Sequence, residues 1–159
     1  MQKNVLTKQL VLDFLRNHKM MVVATQGELP WIATVYFSFD DSLNMYFLSD
    51  PATLHCKHIK ENPHVSAAIV DTTQKHADLK KGLQLWGMCR EIGNEHKVRH
   101  ALKLWKDSMH ITDVLFSYEN MKKKVLKGRM FMIKPKMIKL FDQELFQVED
   151  GKEPTLLLS

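Results

Sequence analysis

The segment from Ser49 to Pro63, SDPATLHCKHIKENP, holds the densest set of residues able to do chemistry. A strand pattern ends at Ser49, and Asp50 followed by Pro51 is typical of a helix start. The first turn of a helix presents free N–H groups and a partial positive charge. Four side chains add hydroxyl or nitrogen donors: Ser49, Thr53, His55 and Lys57. The segment therefore predicts a phosphate-binding junction, although an ordinary capped helix is the commoner meaning of such a pattern.

Two histidine pairs have spacings that suit metal ligation. His55 and His58 are spaced HxxH, and His96 and His100 lie four residues apart on a predicted helix. A zinc site needs at least a third ligand, and no HExxH pattern is present. We therefore predict no metal site. The eight histidines of the chain, these four among them, leave haem binding open as an alternative.

Two strand patterns carry polar and aromatic residues that can line a flat ligand. In the first, Thr34 and Tyr36 share one face, and in the second, Gln84 and Trp86 do. Packing in the core is the commoner role for such side chains. The sequence contains no GxSxG, GxGxxG or GxxxxGK[ST] pattern, and no nucleophile has a visible base. If the protein is an enzyme, a cofactor carries the chemistry, and the catalytic residues stay unassigned.

The elements that position these residues read as a helix, a meander of three strands, a short helix and further strands. Gly87 inside a strand indicates a bulge or a close backbone approach. Because the strands follow one another without long crossovers, we predict an α+β fold, mainly β, with an antiparallel barrel and flanking helices. Strands are predicted at 19–26, 31–39, 44–49, 65–71, 83–92, 128–133 and 136–141, and helices at 5–18, from Asp50 or Pro51 to before Asn62, at 95–106 after an Asn94 cap, and from a Thr112 cap to Val125.

Length and composition set the class of protein. The 159 residues suit one domain, with 45% apolar and 26% charged residues. No apolar run approaches the roughly 18 residues of a membrane helix, so we predict a cytoplasmic protein that does not bind membranes. The net charge of +5 suits an anionic small molecule. Nucleic acid is not the predicted partner, because no basic strand face carries interleaved aromatics. The densest basic cluster reads as a solvated helix end, with a phosphate patch as the less favoured alternative; it comprises Lys122, Lys123, Lys124, Lys127 and Arg129.

The order of the motifs resembles a known family. The sequence reads VVAT, a turn, PWIATVYF, a DD turn, MYFLS, TxHxxxIxxNPxVS and a later strand with Gln84 and Gly87. This order is similar to the flavin mononucleotide (FMN)-binding split barrel of pyridoxamine 5′-phosphate oxidase-like proteins, over roughly residues 19–142. Within that family it resembles small uncharacterised bacterial members with a TxH element. Residues 1–142 are therefore predicted to form an FMN-binding split-barrel domain, and residues 143–159 a C-terminal tail.

The resemblance implies a homodimer with FMN sites at the interface. It also implies that side chains following the third strand bind the flavin phosphate. It implies an FMN-dependent oxidoreductase of unknown substrate, with NAD(P)H as a candidate electron donor; a flavin or haem carrier or sensor is the alternative. Many relatives have Arg-Lys where this chain has Leu54-His55, and the arginine-rich C-terminal element of true oxidases is missing, which argues against vitamin B6 oxidation. The implied cofactor contacts are Thr34, Val35, Tyr36, Phe37, Leu48, Ser49, Thr53, Leu54, His55, Lys57, Gln84 and Trp86.

Overall fold

A computed structural model describes residues 5–159. It contains seven strands and four helices, most of them where the sequence pattern predicts them. Their order is α1 (Lys8–Arg16), β1 (Met20–Gln26), β2 (Pro30–Phe39), β3 (Met45–Ser49), α2 (Leu54–Glu61), β4 (His64–Val70), β5 (Lys81–Glu91), α3 (Glu95–Met109), α4 (Tyr118–Lys122), β6 (Arg129–Asp142) and β7 (Thr155–Leu157).

All strand pairs are antiparallel, and the sheet runs in the order β3-β2-β1-β4-β5-β6-β7. A further ladder joins β3 to β6, from Met45 opposite Ile133 to Ser49 opposite Arg129. This ladder closes six strands into a barrel, and β7 is added outside β6. The predicted α+β split barrel with flanking helices is thereby confirmed.

The barrel interior is one apolar core. Inward residues of the strands alternate with outward ones, as the period of two requires. Helix α1 lies where β1 begins, and α2 lies at the opposite end, against the turn that follows β1. Helices α3 and α4 cover the outside of β3 and β6 with a second apolar cluster around Trp105. Between residues 5 and 159, no helix combines the length and the apolar character needed to cross a bilayer.

The predicted start of α2 at Asp50 or Pro51 is wrong. The helix begins at Leu54 because residues 50–53 form a separate turn. In that turn Asp50 Oδ1 accepts from the Ala52 amide at 2.8 Å, and the Thr53 hydroxyl donates to the Asp50 carbonyl at 2.7 Å. An Asp-Pro pair suits a turn as well as a helix start, and the local hydrogen bonds favour the turn here.

The predicted boundaries after residue 110 also change. The Thr112 cap is wrong, because Ser117 caps α4 by accepting from the Asn120 amide at 3.2 Å, and Val114 and Val125 are exposed. The two strands predicted at 128–133 and 136–141 form a single strand, β6. Pro135 is tolerated within it because the ladder shifts register there, between Trp86 and Gly87 of β5.

Gly87 confirms the predicted close approach, since a Cβ there would lie 2.4 Å from the Lys134 carbonyl oxygen. The Asn94 cap of α3 is confirmed as well, because its side chain accepts from the Lys97 amide. The segment 143–159, in which the sequence showed no period, buries Phe146 in the core and supplies β7.

Candidate functional site

Three of the predicted phosphate residues meet at the junction between β3 and α2. Ser49 Oγ lies 2.7 Å from His55 Nε2, and Thr53 Oγ1 lies 3.4 Å from the same nitrogen. Ser49 is the last residue of β3, and Thr53 is the N-cap of α2. The turn at residues 50–53 folds the chain back so that these side chains converge. We call Ser49, Thr53, His55 and the first turn of α2 the junction.

The first turn of α2 is open to an acceptor. Thr53 makes no side-chain cap because its hydroxyl donates backwards to Asp50. Within residues 5–159, the amides of Leu54, His55 and Cys56 donate to no acceptor. Leu54 is exposed beside them. Free amides at a helix N-terminus favour an anion.

The two buried imidazoles of α2, those of His55 and His58, each contact a hydroxyl group of the barrel. Burial, and then the nearby His58, lower the pKa of His55, so its ring is neutral near pH 7. His58 Nδ1 lies 3.1 Å from the hydroxyl of Thr25, and its ring lies on the backbone of Gly27. His55 and His58 are thus tied into the structure. Lys57, by contrast, is exposed on α2.

A gap separates β2 from β3 next to the junction. The two strands pair only from Phe37 opposite Phe47 to Phe39 opposite Met45, although β2 starts seven residues earlier, at Pro30. Because the Phe37 amide bonds to Lys19 towards β1, the neighbouring Tyr36 carbonyl points towards β3. There it accepts from the indole nitrogen of Trp105 at 3.1 Å.

The four predicted residues of β2 divide between the two faces of the strand. Val35 and Phe37 are 8% and 1% exposed, so their side chains belong to the core. Thr34 and Tyr36 are exposed on the outside. The face assignment made from the sequence is therefore confirmed, and the side chains of Val35 and Phe37 are not available to a ligand. Leu48, across the gap, packs against the second apolar cluster.

Gln84 and Trp86 lie on the outward side of β5, with other strand residues that no helix covers. They line a shallow depression of about 600 Å³ that does not include Ser49, Thr53 or His55. The cross-strand registers arrange this outer face in two rows: Ile32, Ala24, Ser66, Trp86, Met137 and Leu157 in one, and Thr34, Val22, Ala68, Gln84, Lys139 and Thr155 in the other.

Within one chain, the strand register keeps the predicted flavin contacts of β2 far from those of β5. Thr34 and Gln84 share a row but stand three strands apart, roughly 14 Å at the usual strand spacing. The structure thus brings Ser49, Thr53 and His55 together, and places Gln84 and Trp86 elsewhere on the surface. Arg129, which the sequence placed in the basic cluster read as a solvated helix end, lies opposite Ser49 in the β3–β6 ladder. The local pattern did not reveal this neighbour, because the two positions are 80 residues apart in the chain.

A second cleft, of about 910 Å³, lies between α1 and the strands. His18 lines it and stacks on Phe14, with ring centroids 4.2 Å apart. His18 Nδ1 lies 2.7 Å from the Phe14 carbonyl, which can only accept. Nδ1 therefore donates to that carbonyl, and Nε2 is the ring nitrogen left for another partner. In the described part of the chain, no three His, Cys, Asp or Glu side chains cluster as metal ligands.

Comparisons with known proteins agree with this fold. A UPF0306 protein of Pasteurella multocida is 27% identical over 108 residues, covering 66% of this chain and 72% of that protein. A conserved hypothetical protein of Mycobacterium tuberculosis has a TM-score of 0.73 at 13% identity, covering 93% of this chain and 92% of the other. The haem storage protein of Vibrio cholerae has a TM-score of 0.65 at 14% identity, covering 86% and 95%.

The family model described as pyridoxamine 5′-phosphate oxidase matches residues 7–134. That range includes α1, the barrel strands β1 to β5, the first part of β6 and the whole junction. With the closed antiparallel barrel, it shows that this chain belongs to the pyridoxamine 5′-phosphate oxidase family of split barrels.

Proposed function

We propose that this protein binds FMN, with the phosphate at the junction, and acts as an FMN-dependent oxidoreductase. The observation that carries the proposal is the convergence of Ser49, Thr53 and His55 on an uncapped helix start, within a chain of this family. Family membership supports a flavin as the ligand class, and the junction supplies the donors that a phosphate monoester needs.

The donor set fits a phosphate. The three first-turn amides of α2 have no acceptor in the described chain, and two hydroxyls stand beside them. The carboxylate of Asp50, within this segment, is engaged by the Ala52 amide. An uncapped helix start is stabilised by an anion, since partial positive charge collects on the free amides.

We place the flavin ring at the gap between β2 and β3, because main-chain groups are free there. Before Phe37, back towards Pro30, β2 does not pair with β3. The amide of Thr34, which points to the β3 side of the strand, therefore lies outside the ladder. Main-chain groups of this kind can hydrogen-bond the polar edge of a flavin. Bound FMN supplies hydride transfer, and the protein holds the ring, tunes it through hydrogen bonds and limits access of water. NAD(P)H is the proposed electron donor, and the substrate is unassigned.

A homodimer completes the proposed site. The outer face exposes large apolar side chains, among them Ile32 at 64%, Trp86 at 43% and Leu157 at 76%. Contiguous apolar rows of this kind are typical of protein interfaces. A partner copy on this face would bring its Gln84 and Trp86 towards the flavin, which one chain does not achieve.

The test is FMN titration of the Thr53→Ala, His55→Ala double variant, followed by flavin fluorescence. We expect at least roughly 10-fold weaker binding than in the unchanged protein, because a hydroxyl and a ring that positions Ser49 are lost. The matched control is Thr112→Ala, His96→Ala, which removes the same residue types from exposed positions. Equal FMN affinity in the two double variants would remove the junction from the site.

Haem binding at the α1 cleft is a second candidate. The observation that favours it is His18, whose Nδ1 donates to the Phe14 carbonyl and leaves Nε2 available beside a cleft of about 910 Å³ with a mixed apolar and charged lining. A histidine that donates through its other nitrogen to a carbonyl is the usual form of a metal-bound imidazole. The haem storage protein of Vibrio cholerae shares the fold. The four histidines named from the sequence are less suited, because His55 and His58 are buried with partners and His96 and His100 are exposed on α3.

Haem titration distinguishes the two candidates. A Soret band that is lost in His18→Ala and retained in His96→Ala would support haem at the α1 cleft. A band unaffected by His18→Ala, with FMN bound tightly, would leave FMN as the ligand.

A further inference from the structure

The start of β6 places an arginine beside the junction. Arg129 is the cross-strand partner of Ser49. Residues directly opposite each other in an antiparallel pair have Cβ atoms roughly 5 Å apart, and their side chains leave the sheet on the same face. The side chain of Arg129 therefore shares a face with the Ser49 hydroxyl, at the end of β3 that leads into α2.

The guanidinium of Arg129 is fixed by main-chain carbonyls. Its Nη1 donates to three of them, at 3.0, 3.3 and 2.9 Å: those of Leu126, Lys127 and Gly128. Within residues 5–159, Nε and Nη2 donate to no acceptor, and the side chain pairs with no carboxylate. Arg16 and Arg99, in contrast, each pair with acidic side chains. Arg129 thus keeps an uncompensated positive charge and two free donor groups in a held position.

Helix α2 offers no equivalent cation. The ring of His55 is neutral near pH 7 because burial, and then His58, lower its pKa. Lys57 is exposed and makes no ion pair in the described chain. A phosphate monoester carries nearly two negative charges at neutral pH. The junction amides and hydroxyls therefore need a fixed cation, and Arg129 is half-buried on the face where one is needed.

We propose that Arg129 is the phosphate-binding cation of the junction, and that it makes the site select a flavin with a terminal phosphate over riboflavin. This inference rests on the proposed function, because it assigns the partner of the phosphate at the same site. The arginine reaches the site from β6, whereas α2 carries Leu54 and His55. The guanidinium fork matches two phosphate oxygens, which a lysine ammonium does not.

The experiment compares FMN with riboflavin. The unchanged protein, Arg129→Gln, Arg129→Lys and Arg90→Gln are each titrated with both flavins by fluorescence, and folding is checked by circular dichroism. Arg90 is a matched control because it is an exposed arginine on β5, so its loss changes the net charge equally. We expect Arg129→Gln to weaken FMN binding roughly 10- to 100-fold and to leave riboflavin binding unchanged. Arg129→Lys should show a smaller loss, and Arg90→Gln none.

Four results would overturn the inference. FMN affinity that is unchanged in Arg129→Gln, or weakened equally for both flavins, would mean that the arginine only holds the loop before β6. If Arg129→Gln does not fold, an unchanged ratio of FMN to riboflavin affinity in Arg129→Lys decides against it. Failure of the unchanged protein to bind FMN would overturn the proposed function and this assignment together.

Discussion

Substitution of Gly27 by alanine tests how α2 is held on the barrel. A Cβ at Gly27 would lie 2.4 Å from Nε2 and 2.5 Å from Cδ2 of His58. Real side chains essentially never approach so closely, so the imidazole must move. His58 is buried, and the movement breaks its contact with the Thr25 hydroxyl. The substitution therefore strains the contact between the barrel and α2, the helix that carries His55 of the junction.

The expected cost combines two effects. Overpacking a filled site costs about 1–3 kcal/mol. Leaving a buried hydroxyl or imidazole without its partner costs about 1–3 kcal/mol. Because part of the strain is relieved when His58 moves, the sum is about 2–4 kcal/mol of unfolding free energy. For a chain of this size that lowers the melting temperature by roughly 4–16 °C.

The assay is urea unfolding of Gly27→Ala, with Gly93→Ala as the matched control. A Cβ at Gly93 meets nothing within 4 Å, so its cost should stay within about 0.5 kcal/mol. A double-mutant cycle with His58→Ala makes the test specific, because removing the ring removes the clash. Equal stability of the two glycine variants, or costs that simply add in the cycle, would refute this account of the helix contact.

Two further predictions concern the junction and the outer face. The pKa of His55 lies below its usual 6.5 in the folded chain, so the unfolded chain takes up a proton before the folded chain does as the pH falls. The free energy of unfolding should therefore be highest above pH 6.5 and decrease below it, and the decrease should be smaller in His55→Asn. Urea midpoints measured between pH 7.5 and 5 check this. If the proposed dimer forms through the outer face, Trp86→Glu, which places a charge there, should lower the sedimentation mass to that of a monomer. Leu79→Glu, exposed in the loop before β5, should leave the mass of the proposed dimer unchanged.

Local patterns predicted most of the fold because the strands alternate cleanly. The period of two in β1 and β4, and the Asn94 cap of α3, are signals contained in a few neighbouring residues. Errors arose where one local pattern fits two structures. Asp50-Pro51 starts a turn here and not a helix. The two strands predicted at 128–133 and 136–141 are one strand, because a bulge keeps it continuous through Pro135.

The sequence predicted only part of the candidate site. Ser49, Thr53 and His55 lie within seven residues, so their convergence follows from one strand end and one helix start. Arg129 and the rows of the outer face depend on cross-strand register, which pairs β3 with β6 across 80 positions. Register is fixed by how the whole barrel closes, and no short segment encodes it.

The position of the flavin phosphate is the most direct test of the central claim. A crystal structure of the protein grown with FMN would measure it. We predict the phosphate at the first turn of α2, within hydrogen-bonding distance of Ser49 and Thr53, with the ring near the gap between β2 and β3. A phosphate bound elsewhere, or a flavin in the α1 cleft, would contradict the account.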